Sequence, residues 1–158
     1  MTTKTDWQQI VEHTSAMGVL IDARDWQALI ELFDEHVNVD YTSLNGGEPA
    51  KLTPAELIAG WRPLAEGLDA TQHLIANHQV TVDSDTATCS AHVLATHRLA
   101  TVHGDPLWIV GGRYDFCLRR ASEDGHWRIC AVTLTTLWVT GNRKIMELAV
   151  EKTAAAES

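Results

Sequence analysis

A carboxylate and an imidazole sit in this chain where two apolar runs would carry them to one place. Asp22 closes the helix-like run Met17-Gly18-Val19-Leu20-Ile21-Asp22, and His73 opens the strand-like run Gln72-His73-Leu74-Ile75-Ala76. At the mouth of a shared pocket the carboxylate would orient the imidazole and raise its basicity. That makes a general base for a proton on carbon or oxygen. Each residue also has a plain reading. Asp22 would be a helix-end carboxylate bonded to solvent or Arg24, an uncomfortable place against the helix dipole, and His73 a strand-edge histidine satisfied by backbone.

Two further groups face the same way in the sequence pattern. In the run Thr86–Leu99 the alternate residues Ala87, Cys89, Ala91, Val93, Ala95 and His97 share one face. Small side chains facing a helix layer leave a cavity, and His97 would point toward it. Tyr41 alternates with Val37 and Val39, and a phenol among apolar neighbours seeks a polar partner. The run Gly111-Gly112-Arg113-Tyr114 marks a bulge or a close backbone approach. Tyr114 shares a face with Trp108, Val110 and Phe116, a pattern that suits a pocket wall, and Arg113 joins them as a candidate substrate contact.

The elements that must position these residues read as helices first and strands later. Thr5 or Asp6 caps a helix with apolar Trp7, Ile10, Val11, Met17, Leu20 and Ile21. Asp25 caps a second, Trp26 to Phe33. A short strand runs from His36 to Thr42, and Asn45 to Pro49 is a loop by composition. Thr53-Pro54-Ala55-Glu56 is a capping box with proline at the first helical position. Four strands come next, Gln72–Val82, Thr86–Leu99, Leu107–Leu118 and Trp127–Val139. A last helix spans about Arg143 to Lys152, with a frayed end from Thr153 to Ser158. The order implies one α+β domain over residues 1–158, with helices on one face of a mostly antiparallel, strongly curved sheet.

Composition excludes several classes. The chain has 158 residues and a formal net charge of −9, which argues against nucleic acid or an anionic membrane as partner. No stretch approaches a membrane span. The start, Met1-Thr2-Thr3-Lys4-Thr5-Asp6, has no apolar core of a signal peptide, so a cytoplasmic location is expected. Cys89, Cys117 and Cys130 read as reduced, buried, structural thiols. The six tryptophans sit on apolar faces, mostly as core. His73 and His78 are five apart on one strand and so are expected on opposite faces, which leaves no shared metal. There is no P-loop, dinucleotide fingerprint or serine-hydrolase elbow. No metal and no cofactor are expected.

This order and spacing resemble the SnoaL-like branch of the NTF2-like superfamily, a cone-shaped α+β fold. Within it the chain is similar to scytalone dehydratase, bile-acid 7α-dehydratase and hexachlorocyclohexane dehydrochlorinase. The resemblance implies an Asp22–His73 dyad, with Tyr41 on the first strand and His97 at the end of the second long strand. The run Gly111 to Tyr114, then Arg119-Arg120 and the turn Asp124 to Arg128, looks like the dehydrochlorinase. Met17 and Val132 stand where that enzyme has a lysine and an arginine. Gly112 and Tyr114 stand where scytalone dehydratase has a serine and an asparagine. By this resemblance the chain is expected to be a cofactor-independent lyase or isomerase on a small, mostly apolar, cyclic molecule. The resemblance also implies a homo-oligomer, dimer or trimer, to which an apolar sheet face carrying Leu134 and Trp138 would contribute. A ligand-binding protein without activity, a polyketide cyclase and an epoxide hydrolase are the alternatives on the same fold.

Overall fold

A computed structural model describes residues 4–158, so Met1, Thr2 and Thr3 of the polar start lie outside the described residues. The elements are α1 (Asp6–Ala23), α2 (Trp26–Ile30), β1 (Phe33–Asp40), α3 (Thr42–Asn45), β2 (Ala50–Leu52), α4 (Pro54–Gly67), β3 (Ala70–Asp83), β4 (Thr86–Arg98), β5 (Leu107–Arg120), β6 (Trp127–Gly141) and α5 (Lys144–Ala156). The strands form a mixed sheet in the order β2-β1-β6-β5-β4-β3. All neighbours are antiparallel except β1 and β6. The α+β class with N-terminal helices against a curved sheet is therefore the architecture of the molecule.

α1 begins at a reciprocal cap in which Thr5 accepts from the Gln8 amide and Gln8 returns a bond to Thr5. Its buried face, Ile10, Thr14, Met17, Gly18 and Ile21, recurs at helical spacing and lies on β3. Gly18 sets the distance of approach. A Cβ there would lie 2.9 Å from the Cβ of His73. α1 ends at Arg24 in the left-handed conformation, φ 56°. The Arg24 guanidinium then bonds the carbonyls of Ala65 and Leu68, tying the end of α1 to the end of α4. α4 starts at the Thr53–Glu56 capping box with Pro54 inside it, and α5 packs against α4.

Three bulges bend the long strands, and each flips the side-chain alternation. In β3 the extra residue falls at Asn77 and His78, where Asn77 has φ 58°. Between β5 and β6 the register slips at Gly111/Gly112 and again at Cys117/Leu118.

Several expectations are corrected. α2 stops at Ile30 because Phe33 pairs with Ile129 of β6, and long-range pairing overrides the propensity of a short helix. The first strand ends at Asp40, so Tyr41 precedes α3 and does not alternate with Val39 in a strand. β2 was not expected in the sequence. α5 continues to Ala156, held by Thr153 donating to the Pro63 carbonyl at 2.7 Å, so the chain does not fray at Thr153. His78 lies on the same side of β3 as His73, because the bulge restores the face, and it bonds Ser15 of α1. Leu134 is buried while Trp138 is half exposed, since the bulge at Leu137 puts them on opposite faces. Cys89 is buried but Cys117 is exposed and Cys130 partly so. Of the tryptophans only Trp108 and Trp127 are buried, and Trp7 and Trp138 are half exposed.

Candidate active site

The dyad residues meet. Asp22 comes from the last turn of α1 and His73 from the start of β3, and His73 Nδ1 lies 2.7 Å from Asp22 Oδ1. The His73 backbone amide donates to Asp22 Oδ2 at 2.7 Å, and the Thr71 hydroxyl donates to Oδ1 at 2.8 Å. Three donors thus hold a carboxylate that the helix dipole disfavours. Arg24 bonds the Asp22 backbone carbonyl and leaves the carboxylate to these partners. Burial pushes the Asp22 carboxyl up, but the bonds from His73 and Thr71 outweigh it and hold it below the ordinary carboxylate range. An ionised carboxylate only accepts, so Nδ1 of His73 carries the hydrogen. Its Nε2 has no partner among the described residues and keeps a lone pair. His73 lines an apolar cavity of about 220 Å³.

His97 stands beside it at the end of β4, its ring edge-on to His73 with centroids 5.9 Å apart. Its Nδ1 donates to the Trp108 carbonyl at 3.1 Å, and the ring leans on the Trp108 indole at 5.3 Å. Burial, with the neighbouring His73 adding to it, pushes the imidazole down to about 4. His97 is therefore neutral at pH 7, with its remaining nitrogen an acceptor.

Two phenols supply the donors. The Tyr41 hydroxyl donates to the Tyr114 hydroxyl at 3.3 Å, and Tyr41 stacks on Trp61 with centroids 6.0 Å apart. Burial pushes both phenols up, Tyr41 well above its ordinary value, so both stay protonated. One O–H of the pair is left for a ligand.

Asp22 stands behind His73. His73, His97, Tyr41, Tyr114 and Trp108 all line the cavity. Arg113 does not. Strand alternation that turns Tyr114 inward turns Arg113 outward, where it is exposed and pairs with Asp115 at 2.9 Å. Sequence reasoning missed Thr71, although it lies two residues before His73 on the same strand face. It also missed Trp61 of α4, Leu134 of β6, Met146 of α5, and Leu44 and Asn45 of α3. Leu44 falls between the expected strand, which ends at Thr42, and the expected loop, which Asn45 opens, and nothing local in the sequence marks Met146. Among the described residues no group of three or more His, Cys, Asp or Glu is arranged to hold a metal. No described helix is long and apolar enough to cross a membrane.

Helices laid on a curved sheet, with an ionised aspartate behind a histidine at an apolar cavity, define the class. The SnoaL-like domain family matches residues 3–133, and the chain belongs to it. No curated protein matches the sequence. Among solved structures it is similar to the Kfla4162 protein of Kribbella flavida, with 29% identity and a TM-score of 0.82, covering 91% of this chain and 96% of that one. A provisionally assigned scytalone dehydratase of Novosphingobium aromaticivorans has the same fold, with 22% identity and a TM-score of 0.74 over 87% of this chain and 88% of that one. The hexachlorocyclohexane dehydrochlorinase of Novosphingobium barchaimii shares it at 15% identity and a TM-score of 0.69, over 85% and 88%.

Proposed function

We propose that the protein is a cofactor-independent lyase of the dehydratase type acting on a small, neutral, cyclic hydroxy-carbonyl compound. The observation that carries this reading is His73, held by Asp22 with its free nitrogen on an apolar cavity that also holds a phenol pair with one free O–H. The elimination names of two structural neighbours agree with it. Among the described residues no lysine or arginine lines the cavity, which suits an uncharged substrate. An engineered cavity of about 150 Å³ takes a benzene ring, so about 220 Å³ suits one ring or two fused rings.

His73 Nε2 takes a proton from the carbon next to the carbonyl. The Tyr114 hydroxyl, polarised by the hydrogen bond it accepts from Tyr41, donates to the carbonyl oxygen as negative charge gathers there. His97, neutral and with its other nitrogen committed to Trp108, accepts a hydrogen bond from the departing hydroxyl and orients it. It is a poor proton donor, so the leaving oxygen receives its proton from His73, now an imidazolium stabilised by Asp22. The C–O bond breaks, the double bond forms and water leaves. The same base also serves a double-bond shift.

The test is incubation with a pooled library of cyclic alcohols, ketones and halides in D₂O, read by mass spectrometry. Loss of water seen with wild type and absent with His73→Ala is the expected result. Deuterium uptake without mass loss would make the protein an isomerase. Turnover retained in His73→Ala would remove the dyad from the chemistry, and binding without turnover would make the protein a ligand carrier.

A further inference from the structure

On the outer face of the sheet, away from the cavity, two thiols are brought side by side by a register slip. Cys117 of β5 pairs with Ala131 of β6, while Leu118 pairs with Ile129, so Cys130 is the extra residue of a bulge and also lies opposite Cys117. The burial pattern of β6 agrees. Trp127 and Ile129 point inward, and so do Val132 and Leu134, which leaves Cys130 and Ala131 both on the outer face. Cys130 Sγ lies 3.4 Å from the Cys117 carbonyl oxygen. Both cysteines, with Thr86, Thr88 and Arg119, line one shallow outer depression. The Cys130 thiol thus reaches the Cys117 residue itself across the ladder, and a disulfide spans Cα separations of about 4.4–6.8 Å.

We infer that Cys117 and Cys130 are a modification site, a dithiol that a hydroperoxide oxidises to a cross-strand disulfide. Cys117 is the exposed partner and reacts first. Its thiolate attacks one peroxide oxygen, an S–O bond forms, the O–O bond breaks, and the other oxygen leaves as an alcohol or water after taking a proton. The Cys130 thiolate then attacks the sulfenic sulfur. The S–S bond forms, the S–O bond breaks, and hydroxide leaves as water. Two thiols lose two electrons in all, and the hydroperoxide gains them. Burial pushes the Cys130 thiol up, with Cys117 and Asp34 adding to it, and the Arg119 guanidinium beside it offsets only part of that. Arg119 is itself anchored by Asp34 at 2.8 Å. The buried Cys89, bonded within the core near Thr14, has no part in this.

Full-length protein is treated with hydrogen peroxide, blocked with iodoacetamide and analysed by intact and tryptic mass spectrometry. Arg119, Arg120 and Arg128 separate the two cysteines into different peptides. The expected result is loss of two alkylatable thiols, joined Cys117 and Cys130 peptides within one chain, and recovery of both thiols with dithiothreitol. In Cys130→Ser, Cys117 stops at a sulfenic acid that dimedone traps. In Cys117→Ser no thiol is lost. Cys117 is exposed and Cys130 half-buried, and serine nearly matches cysteine in size, so the fold survives both substitutions. Two thiols still alkylatable after peroxide would overturn the inference, as would sulfinic acid without a cross-link or a link between two chains.

Discussion

Three hydrogen bonds converge on the carboxylate of Asp22, and that convergence decides which nitrogen of His73 is basic. Asp22→Asn keeps the size of the side chain but replaces one acceptor with a donor. The amide oxygen must keep accepting from the His73 backbone N–H, since the opposite orientation sets two donors against each other, so the NH2 meets Nδ1 and drives the hydrogen to Nε2. That abolishes the base, so turnover should fall by about 10²–10⁴-fold, the usual weight of general-base catalysis. Nitrogen-15 NMR of the imidazole checks the cause without a substrate, since wild type should show the Nδ1–H form and Asp22→Asn should lose it. Thr71→Val removes one bond to a charged acceptor and should cost about 1–3 kcal/mol of stability, read by urea denaturation. The dyad was legible because each partner stands at the end of an apolar run, where burial and access to solvent meet. Thr71 was legible in principle from its alternation with His73. Arg113 was misplaced because a chemically attractive side chain was read beside Tyr114 when adjacent strand residues must face opposite ways.

Helix α1 can hold Asp22 against β3 only because Gly18, one turn earlier, has no side chain. Gly18→Ala would place a Cβ 2.9 Å from the His73 Cβ and 3.2 Å from Ile75 Cδ1. Alanine also favours the helix by about 1 kcal/mol over glycine, which offsets part of the steric cost. The expected outcome is near-wild-type thermal stability with turnover lowered by about tenfold or more, because a displacement well under 1 Å already spoils catalytic geometry. A large loss of stability with normal activity per folded molecule would show that the helix–strand contact does not set the dyad. Gly111 plays a comparable part on the outer face, where a Cβ would come within 2.1 Å of the Trp138 indole. These contacts also explain how much of the fold could be read. Caps such as Thr5 and Thr53, and the alternation of β4 and β5, are local patterns, and the structure follows them. The inner and outer faces of β3 and β6 were misread for His78 and Leu134 because a bulge moves every later side chain across the sheet. Its position depends on the partner strand. The short β2 and the early end of α2 were hidden for the same reason, since pairing with β1 and β6 decides them.

At the scale of the whole molecule the buried histidines make stability depend on acid. Burial pushes His97 down to about 4 from an ordinary 6.5, and it also pushes down His13 and His78. Above pH 6.5 folded and unfolded chains are both neutral at His97, so its contribution is complete. Below 6.5 the unfolded chain binds a proton that the folded chain refuses, and stability falls by about 1.4 kcal/mol per pH unit for this one group. The fall ends near pH 4, where the folded state protonates too, so His97 alone accounts for about 3 kcal/mol. That corresponds to roughly 6–12 °C in the melting midpoint for a chain of this size. His13 and His78 act in the same direction and steepen the decline. Asp22 adds a later loss, because its lowered carboxyl stabilises the fold fully above the ordinary carboxylate value and ceases to as pH drops through its folded one. Melting curves from pH 8 to 4 should therefore show a plateau above about pH 7 and a decline steeper than one proton between 6.5 and 4. His97→Asn can still donate to the Trp108 carbonyl and cannot titrate, so it should remove about one proton from that slope. A midpoint unchanged between pH 7 and 5 would mean that folded His97 titrates at the ordinary imidazole value. The neutral acceptor assigned to it in the elimination would then be lost below about pH 6.5, so this single curve bears on both the stability and the chemistry of the cavity.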